Sequence, residues 1–264
     1  MPLLSALRTP RFNEQIRQLS RDSDLIWLLG TGLGLGFTLI AAFLFPYPAS
    51  PSGKFWAYAS LLCRASLYVG AKDRLPERGG QVLYRLFLMG LVAGGFELLV
   101  DWGLIHWVPH GKLVYLTGND VVLLGSPVWM PLAWACVIVE MAYPALRLFG
   151  QLRTRLGEGK ALAIASLAIA ALAGFTVGAY EYLAFLAGWW KYEPAHTMIG
   201  PYCALFIPVG EFLMFLPILP IIAPLLSAEE WPGYAAIRAG TLFAACIAVG
   251  YALAYLLLEA GRLP

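Results

Sequence analysis

Seven stretches of this chain are apolar over about 20 residues or slightly fewer, the length needed to cross roughly 30 Å of hydrocarbon. They run over residues 25–45, 55–71, 83–107, 128–148, 161–189, 198–226 and 234–259. The second is the shortest, carries Arg64 and ends in Lys72, Asp73 and Arg74. Hydrocarbon offers the backbone no hydrogen-bond partner, so such stretches must satisfy themselves as helices. The expected fold is an all-α membrane protein, a bundle of seven transmembrane helices over residues 25–264. Composition agrees, with 60% hydrophobic and only 13% charged residues and a mean hydropathy of +0.71, outside the range of soluble globular chains. The net charge of +2 and the lack of a long basic run give no reason to expect nucleic acid as a partner.

Lys and Arg are distributed unevenly between the connections. Arg8, Arg11, Arg17 and Arg21 precede the first stretch, Lys72, Arg74 and Arg78 follow the second, and Arg153, Arg155 and Lys160 follow the fourth. The opposite connections hold only Lys54, Lys112, Lys191 and Arg262. Cytoplasmic loops carry the positive excess, which puts the N-terminus in the cytoplasm and the C-terminus outside. A bacterial inner (cytoplasmic) membrane is the expected location. Residues 1–24 are too polar for a signal peptide. Phe12, Ile16 and Leu19 stand there at helical spacing among charged and polar neighbours, the pattern of an amphipathic segment lying on the cytoplasmic leaflet; the alternative is a loose tail.

One connection has β character. Segments 113–116 and 121–124 are β-prone and flank Gly118-Asn119, a permitted two-residue hairpin turn, so this run is expected to form an outer-face flap or else an irregular loop. Cys63, Cys136, Cys203 and Cys246 all fall within apolar stretches and never as a CxxC pair, which suits small hydrophobes rather than a disulfide or a metal site.

Against this background the ionisable residues inside the apolar stretches carry the functional information. Glu97, Asp101, Glu140, Glu181, Glu211 and Arg64 all sit there. A charge in hydrocarbon is costly unless it faces a partner or a wet cavity, so such residues mark functional sites by default. By depth, Glu97, Asp101, Glu181, Glu211 and Arg64 can meet in the outer half of the bundle, with Glu140 as a separate contact in the inner half. Glu97 and Asp101 are four apart, hence on one helix face with Cβ atoms about 6 Å apart. Two buried carboxylates at that spacing resist simultaneous ionisation, so the pair is expected to retain a proton it can donate. The competing interpretation is that Arg64 pairs with one acid and simply locks helices together.

Gly90 and Gly94 continue the same face backwards as a small-xxx-small pattern, which allows a neighbouring helix to approach closely and places the third helix at the centre. The sixth stretch is broken by Pro201, Pro208, Pro217, Pro220 and Pro224, with Gly210 beside Glu211. Trp107, Trp129, Trp189, Trp190 and Tyr192 fit an outer interfacial belt. Trp102, Trp134, Tyr180, Tyr182, Phe96 and Phe212 lie mid-stretch or beside acids, where ring faces stabilise a cation without attacking it.

Several chemistries lack their residues. The seventh stretch has no lysine for a retinal Schiff base, His106 and His110 are separated by Pro109 at a boundary, and HExxH, GxSxG and P-loop motifs are missing.

Seven short-looped helices with mid-membrane acids and many aromatic residues resemble the small integral-membrane terpenoid cyclases of meroterpenoid pathways. The segments SPVWMPLAW at 126–134 and WWKY at 189–192 also resemble a loosely described group of bacterial membrane proteins of unassigned function. The cyclase resemblance implies proton-initiated cyclisation by membrane-embedded carboxylates. It is one of architecture, with no motif aligned residue by residue, and it assigns no catalytic residue.

Three functions remain open. The first is an enzyme that protonates a lipophilic alkene or epoxide, a terpenoid, polyene or sterol-like molecule, for cyclisation, isomerisation or hydration. Glu97 or Asp101 would be the acid and Glu211 or Glu181 the second carboxylate. Trp102, Trp134, Tyr180 and Phe212 would line the substrate, with Arg64 beside them. This chemistry requires no cofactor and no metal; its partners are the lipophilic substrate and membrane lipids. The second is a proton-coupled transporter or channel that uses the acids as a relay. The third is a structural subunit of a larger membrane complex.

Overall fold

The computed structural model describes residues 3–48, 53–77, 79–118 and 120–260. Asn119 of the expected turn, and Arg78 and Arg262 of the charge pattern, lie outside the described residues. Two short helices, α1 (Leu3–Ala6) and α2 (Pro10–Gln18), lead into α3 (Arg21–Leu39), which continues as a π-helical turn over Ile40–Leu44. Then come α4 (Gly53–Arg74), α5 (Gly80–His106), α6 (Met130–Leu156) and α7 (Glu158–Leu186). The chain closes with α8 (Phe206–Phe215), α9 (Ile218–Ser227) and α10 (Pro232–Leu258).

The helix starts follow from local chemistry. Ser20 and Ser23 form a reciprocal capping box ahead of α3, with Asp22 and Asp24 in its first turn near the positive end of the helix dipole. Thr9 caps α2 by accepting from the Phe12 amide, and Pro10, Pro131 and Pro232 occupy first-turn positions where an amide proton would be unused. Pro217 cannot donate to the preceding turn, and there α8 and α9 meet at a 42° bend.

Among the described residues, five helices are long and apolar enough to cross a membrane: α3 with its π-helical turn, α5, α6, α7 and α10. Counting the bent α8 and α9 as one crossing gives six. The fourth helix spans 22 residues, but Lys54, Arg64, Lys72, Asp73 and Arg74 interrupt its apolarity.

At the centre, α5 packs on α4, α6 and α10. A Cβ on Gly90 would fall 2.5 Å from Ala135 Cα, and one on Gly94 would fall 2.7 Å from Pro131 Cα, so the two glycines set the approach of α6. At the N-terminal end of the bundle, α2 turns its apolar side onto protein. Phe12 is fully buried, its ring 6.2 Å from that of Phe149, and Ile16 reaches Gly150. The stripe expected to face a leaflet is thus covered by the bundle itself.

The opposite end is closed by three two-stranded sheets, here called the cap. Strand β1 (Leu113–Tyr115) pairs antiparallel with β4 (Trp190–Tyr192), β2 (Val122–Leu123) with β3 (Ser126–Pro127), and β5 (Met198–Ile199) with β6 (Cys203–Ala204). This corrects the expected hairpin: both β-prone segments form strands, but with other partners. Leu124 and Gly125, with φ of 54° and 88°, make the tight turn that pairs β2 with β3, and β1 is left to pair with a strand far along the sequence.

The cap also shortens two of the expected helices. The fifth ends at Leu186 rather than 189, and the sixth begins at Phe206, because 198–204 is a hairpin. Trp129, Trp189, Trp190 and Tyr192, expected in an interfacial belt, are buried in the cap, whereas Trp107 is 72% exposed. Asp120 pins the cap to α4, accepting from the Tyr58 hydroxyl at 3.0 Å and the Trp129 indole at 2.9 Å.

Candidate functional site

One turn apart on α5, Glu97 and Asp101 point into the bundle beneath the cap, each only 2% exposed. Asp101 Oδ2 accepts from two cap residues, the Tyr115 hydroxyl of β1 and the Ser126 hydroxyl of β3, the latter at 2.8 Å. Glu97 is within hydrogen-bonding reach of Asp101 and of the Trp134 indole. Trp134 can stand there because Gly94, a turn before Glu97, admits its Cβ against the α5 backbone.

Two further carboxylates complete the cluster. Glu211 on α8 accepts from the Tyr251 hydroxyl of α10 at 2.7 Å. The preceding residue, Gly210, makes room for the Tyr251 ring, and Gly250 lets α10 approach α8. Glu181 on α7 accepts from the Trp190 indole, with the Tyr192 hydroxyl at 3.5 Å. Glu211 lies within electrostatic range of both Glu97 and Glu181. Among the described residues, Glu97 Oε2 and Glu211 Oε2 are buried without a hydrogen-bond partner.

Over the acids lies a continuous aromatic layer, made mostly of cap residues. Tyr115 stands edge-on to Trp129 and Trp190, with ring centres 6.5 Å and 6.2 Å away, and Tyr180 tilts against Trp189 and Trp190, both at 6.0 Å. Burial and the neighbouring carboxylates, Asp101 for Tyr115 and Glu181 for Tyr192, hold both cap phenols well above the usual tyrosine pKa. They remain hydrogen-bond donors across the physiological range.

Of the residues singled out in the sequence, the structure brings together Glu97, Asp101, Glu181, Glu211 and Trp134, with Tyr180 joined through Trp190. It does not bring Arg64 there. Arg64 pairs with Glu140 at 2.8 Å, and Tyr68 donates to the same carboxylate oxygen at 3.3 Å. Gly30 and Gly34 on α3 leave the space that Tyr68 and Arg64 fill. Trp102 is also elsewhere: one residue past Asp101 it points about 100° around the helix and stacks edge-on to Trp107, 4.6 Å between ring centres. Phe212 sets its Cβ and backbone nitrogen against Gly174 on α7.

Sequence reasoning missed Tyr115, Ser126 and Tyr251 as members of the site, and assigned Trp190 and Tyr192 to a belt. Alternation offered a clue for the last two, since residues two apart on a strand share a face. Among the described residues no group of three or more His, Cys, Asp or Glu side chains is arranged to hold a metal ion.

Residues 98–258 match the family described as a domain of unknown function, DUF6989, and the chain belongs to that family. The matched region contains Asp101, Tyr115, Ser126, Trp134, Glu181, Trp190, Tyr192, Glu211 and Tyr251 and begins one residue after Glu97. No curated protein and no solved structure matches the chain.

Proposed function

We propose that the four carboxylates are the acid centre of an integral-membrane enzyme that protonates a lipophilic alkene or epoxide, of terpenoid, polyene or sterol-like kind, for cyclisation, isomerisation or hydration. The observation that carries this reading is their meeting. Glu97, Asp101, Glu181 and Glu211 share one buried region whose hydrogen-bond donors are tyrosine, tryptophan and serine. The one basic residue expected there, Arg64, is paired elsewhere. An acid left without a cationic partner can retain its proton, and ring faces nearby can stabilise the cation that forms once the proton is given up. The likeness to small integral-membrane terpenoid cyclases points the same way.

The hydrogen bonds divide the roles. Tyr115 and Ser126 both donate to Asp101, which suits it as the acceptor of the pair, while Glu97 carries a free oxygen. Glu97 is then the proton donor and Asp101 its orienting partner. Glu211, with its own free oxygen, or Glu181 takes up the proton lost when the cation collapses to product. Trp134 and Tyr180 supply ring faces. The reaction needs no cofactor.

Seven crossings with a cytoplasmic N-terminus complete the proposal. Arg64, the one charge in the middle of α4, is neutralised by Glu140, and 22 helical residues extend about 33 Å. The positive connections then face the cytoplasm and the cap faces outward, in a bacterial inner membrane.

A proton-coupled transporter is the second reading, favoured by the 42° break between α8, which carries Glu211, and α9. The test is to identify by mass spectrometry the lipids that co-purify with wild type and with Glu97→Gln, then to look for conversion in detergent. An isoprenoid or sterol-like molecule on wild type, its precursor on the variant, and turnover without a gradient support the enzyme. Undiminished turnover in both Glu97→Gln and Asp101→Asn rejects it, and uptake driven by a pH gradient in proteoliposomes selects the transporter.

A further inference from the structure

We infer that Tyr115 and the groove beside it form the entry through which protons reach the Asp101 and Glu97 pair from the aqueous face of the cap. An open groove lies between β1 and the β2–β3 hairpin, with Lys112, Thr117, Asp120 and Glu193 giving it a polar lining. Tyr115 belongs to the groove wall, and its hydroxyl donates to Asp101. One residue therefore links the groove to the buried acid.

The sheet fixes this placement. Tyr115 is paired directly opposite Trp190, and the Leu116 amide donates to Trp189 at 2.9 Å, so the ring is held edge-on between Trp129 and Trp190. Ser126 donates to the same oxygen of Asp101 but is fully buried and takes no part in the groove lining. Of the two donors to Asp101, Tyr115 alone connects it to the groove.

The transfer balances without an intermediate on the ring. A hydronium ion in the groove gives its proton to Tyr115 Oη as the original hydroxyl proton passes to Asp101 Oδ2. This leaves water, a neutral tyrosine and a protonated Asp101, which passes the proton to Glu97, one turn away on α5 and within its reach. Because burial and Asp101 hold the phenol well above its usual pKa, the two movements occur together rather than through a phenolate. The need for such a route rests on the proposed function: each turnover strips a proton from the pair and deposits one on Glu211 or Glu181, so the pair must be reloaded.

Infrared spectroscopy of the full chain in nanodiscs tests the route without a substrate. Protonated carboxyl bands are assigned to the pair by their loss in Glu97→Gln and Asp101→Asn, and their exchange is timed after transfer into D2O. Tyr115→Phe keeps the ring and removes the relay, and exchange is expected to slow by about a hundredfold. Val122→Trp, which fills the groove from an exposed position, should slow it too. Wild-type exchange in both Tyr115→Phe and Val122→Trp overturns the inference and leaves the proposed function standing. If no protonated carboxyl band belongs to the pair, the proposed function falls, and the inference with it.

Discussion

The Trp190 indole donates to the Glu181 carboxylate, so a strand of the cap anchors an acid that projects from helix α7. Directly across the same sheet, Tyr115 donates to Asp101 of α5. Three residue pairs of antiparallel sheet thus hold two acids from two different helices. Strand register and acid geometry are one property of the fold, and a change to either strand should be felt at the carboxylates.

Trp190→Phe makes this measurable. The substitution keeps an aromatic ring against Tyr115, Trp129 and Tyr180 but removes the donor, leaving a buried Glu181 oxygen unsatisfied. A buried acceptor without its partner costs about 1–3 kcal/mol. Thermal unfolding in detergent should show a lower midpoint than wild type, and adding Glu181→Leu should recover part of the loss. An unchanged midpoint in the single variant would mean that the indole bond contributes nothing to holding the acid.

Gly94 and Gly95 give a second contrast on adjacent residues. A Cβ at Gly94 would lie 2.7 Å from both Pro131 Cα and Trp134 Cβ, whereas one at Gly95 meets nothing within 4 Å. Gly94→Ala should destabilise by about 1–3 kcal/mol through overpacking and displace Trp134 from Glu97. Gly95→Ala should be neutral or stabilise by about 0.5–1 kcal/mol, since alanine is the better helix former. Unfolding midpoints of the two variants, measured side by side, check the sign of each effect, and equal midpoints would remove Gly94 from the α5–α6 contact.

Gly94 also illustrates what the sequence made legible. The length of the apolar stretches sets the helices, and the four-residue spacing of Gly90 and Gly94 marks the face on which α6 approaches, because both are consequences of local periodicity. The meeting of four acids follows from depth alone, since residues at one level of a narrow bundle have few places to point. Direction around a helix axis was harder to foresee. Depth puts Arg64 level with the acids, but Gly30 and Gly34 open α3 toward it, and the guanidinium turns to Glu140. Trp102 adjoins Asp101 in sequence and still packs on Trp107 instead. The cap was least legible, because β1 pairs with a strand some 75 positions later along the chain, and such short pairings are selected by tertiary packing rather than by their own sequence.

Neutralising acids should separate the two polar centres of the bundle. Arg64 and Glu140 form an ion pair with side chains only 8% and 13% exposed, so Glu140→Gln leaves a buried guanidinium without its counter-ion. Breaking such a pair costs about 3–5 kcal/mol, while replacing both partners with apolar residues is often neutral or stabilising. Glu140→Gln should therefore lower the unfolding midpoint markedly, and Arg64→Met combined with Glu140→Leu should restore it. Glu97→Gln and Glu211→Gln leave no cation unpaired, and a carboxamide oxygen can still accept from Trp134 or Tyr251. Their midpoints should stay close to that of wild type even though function is lost. A fall in stability for Glu97→Gln as large as for Glu140→Gln would show that the acid cluster is held by charge after all, and would reassign it from chemistry to architecture.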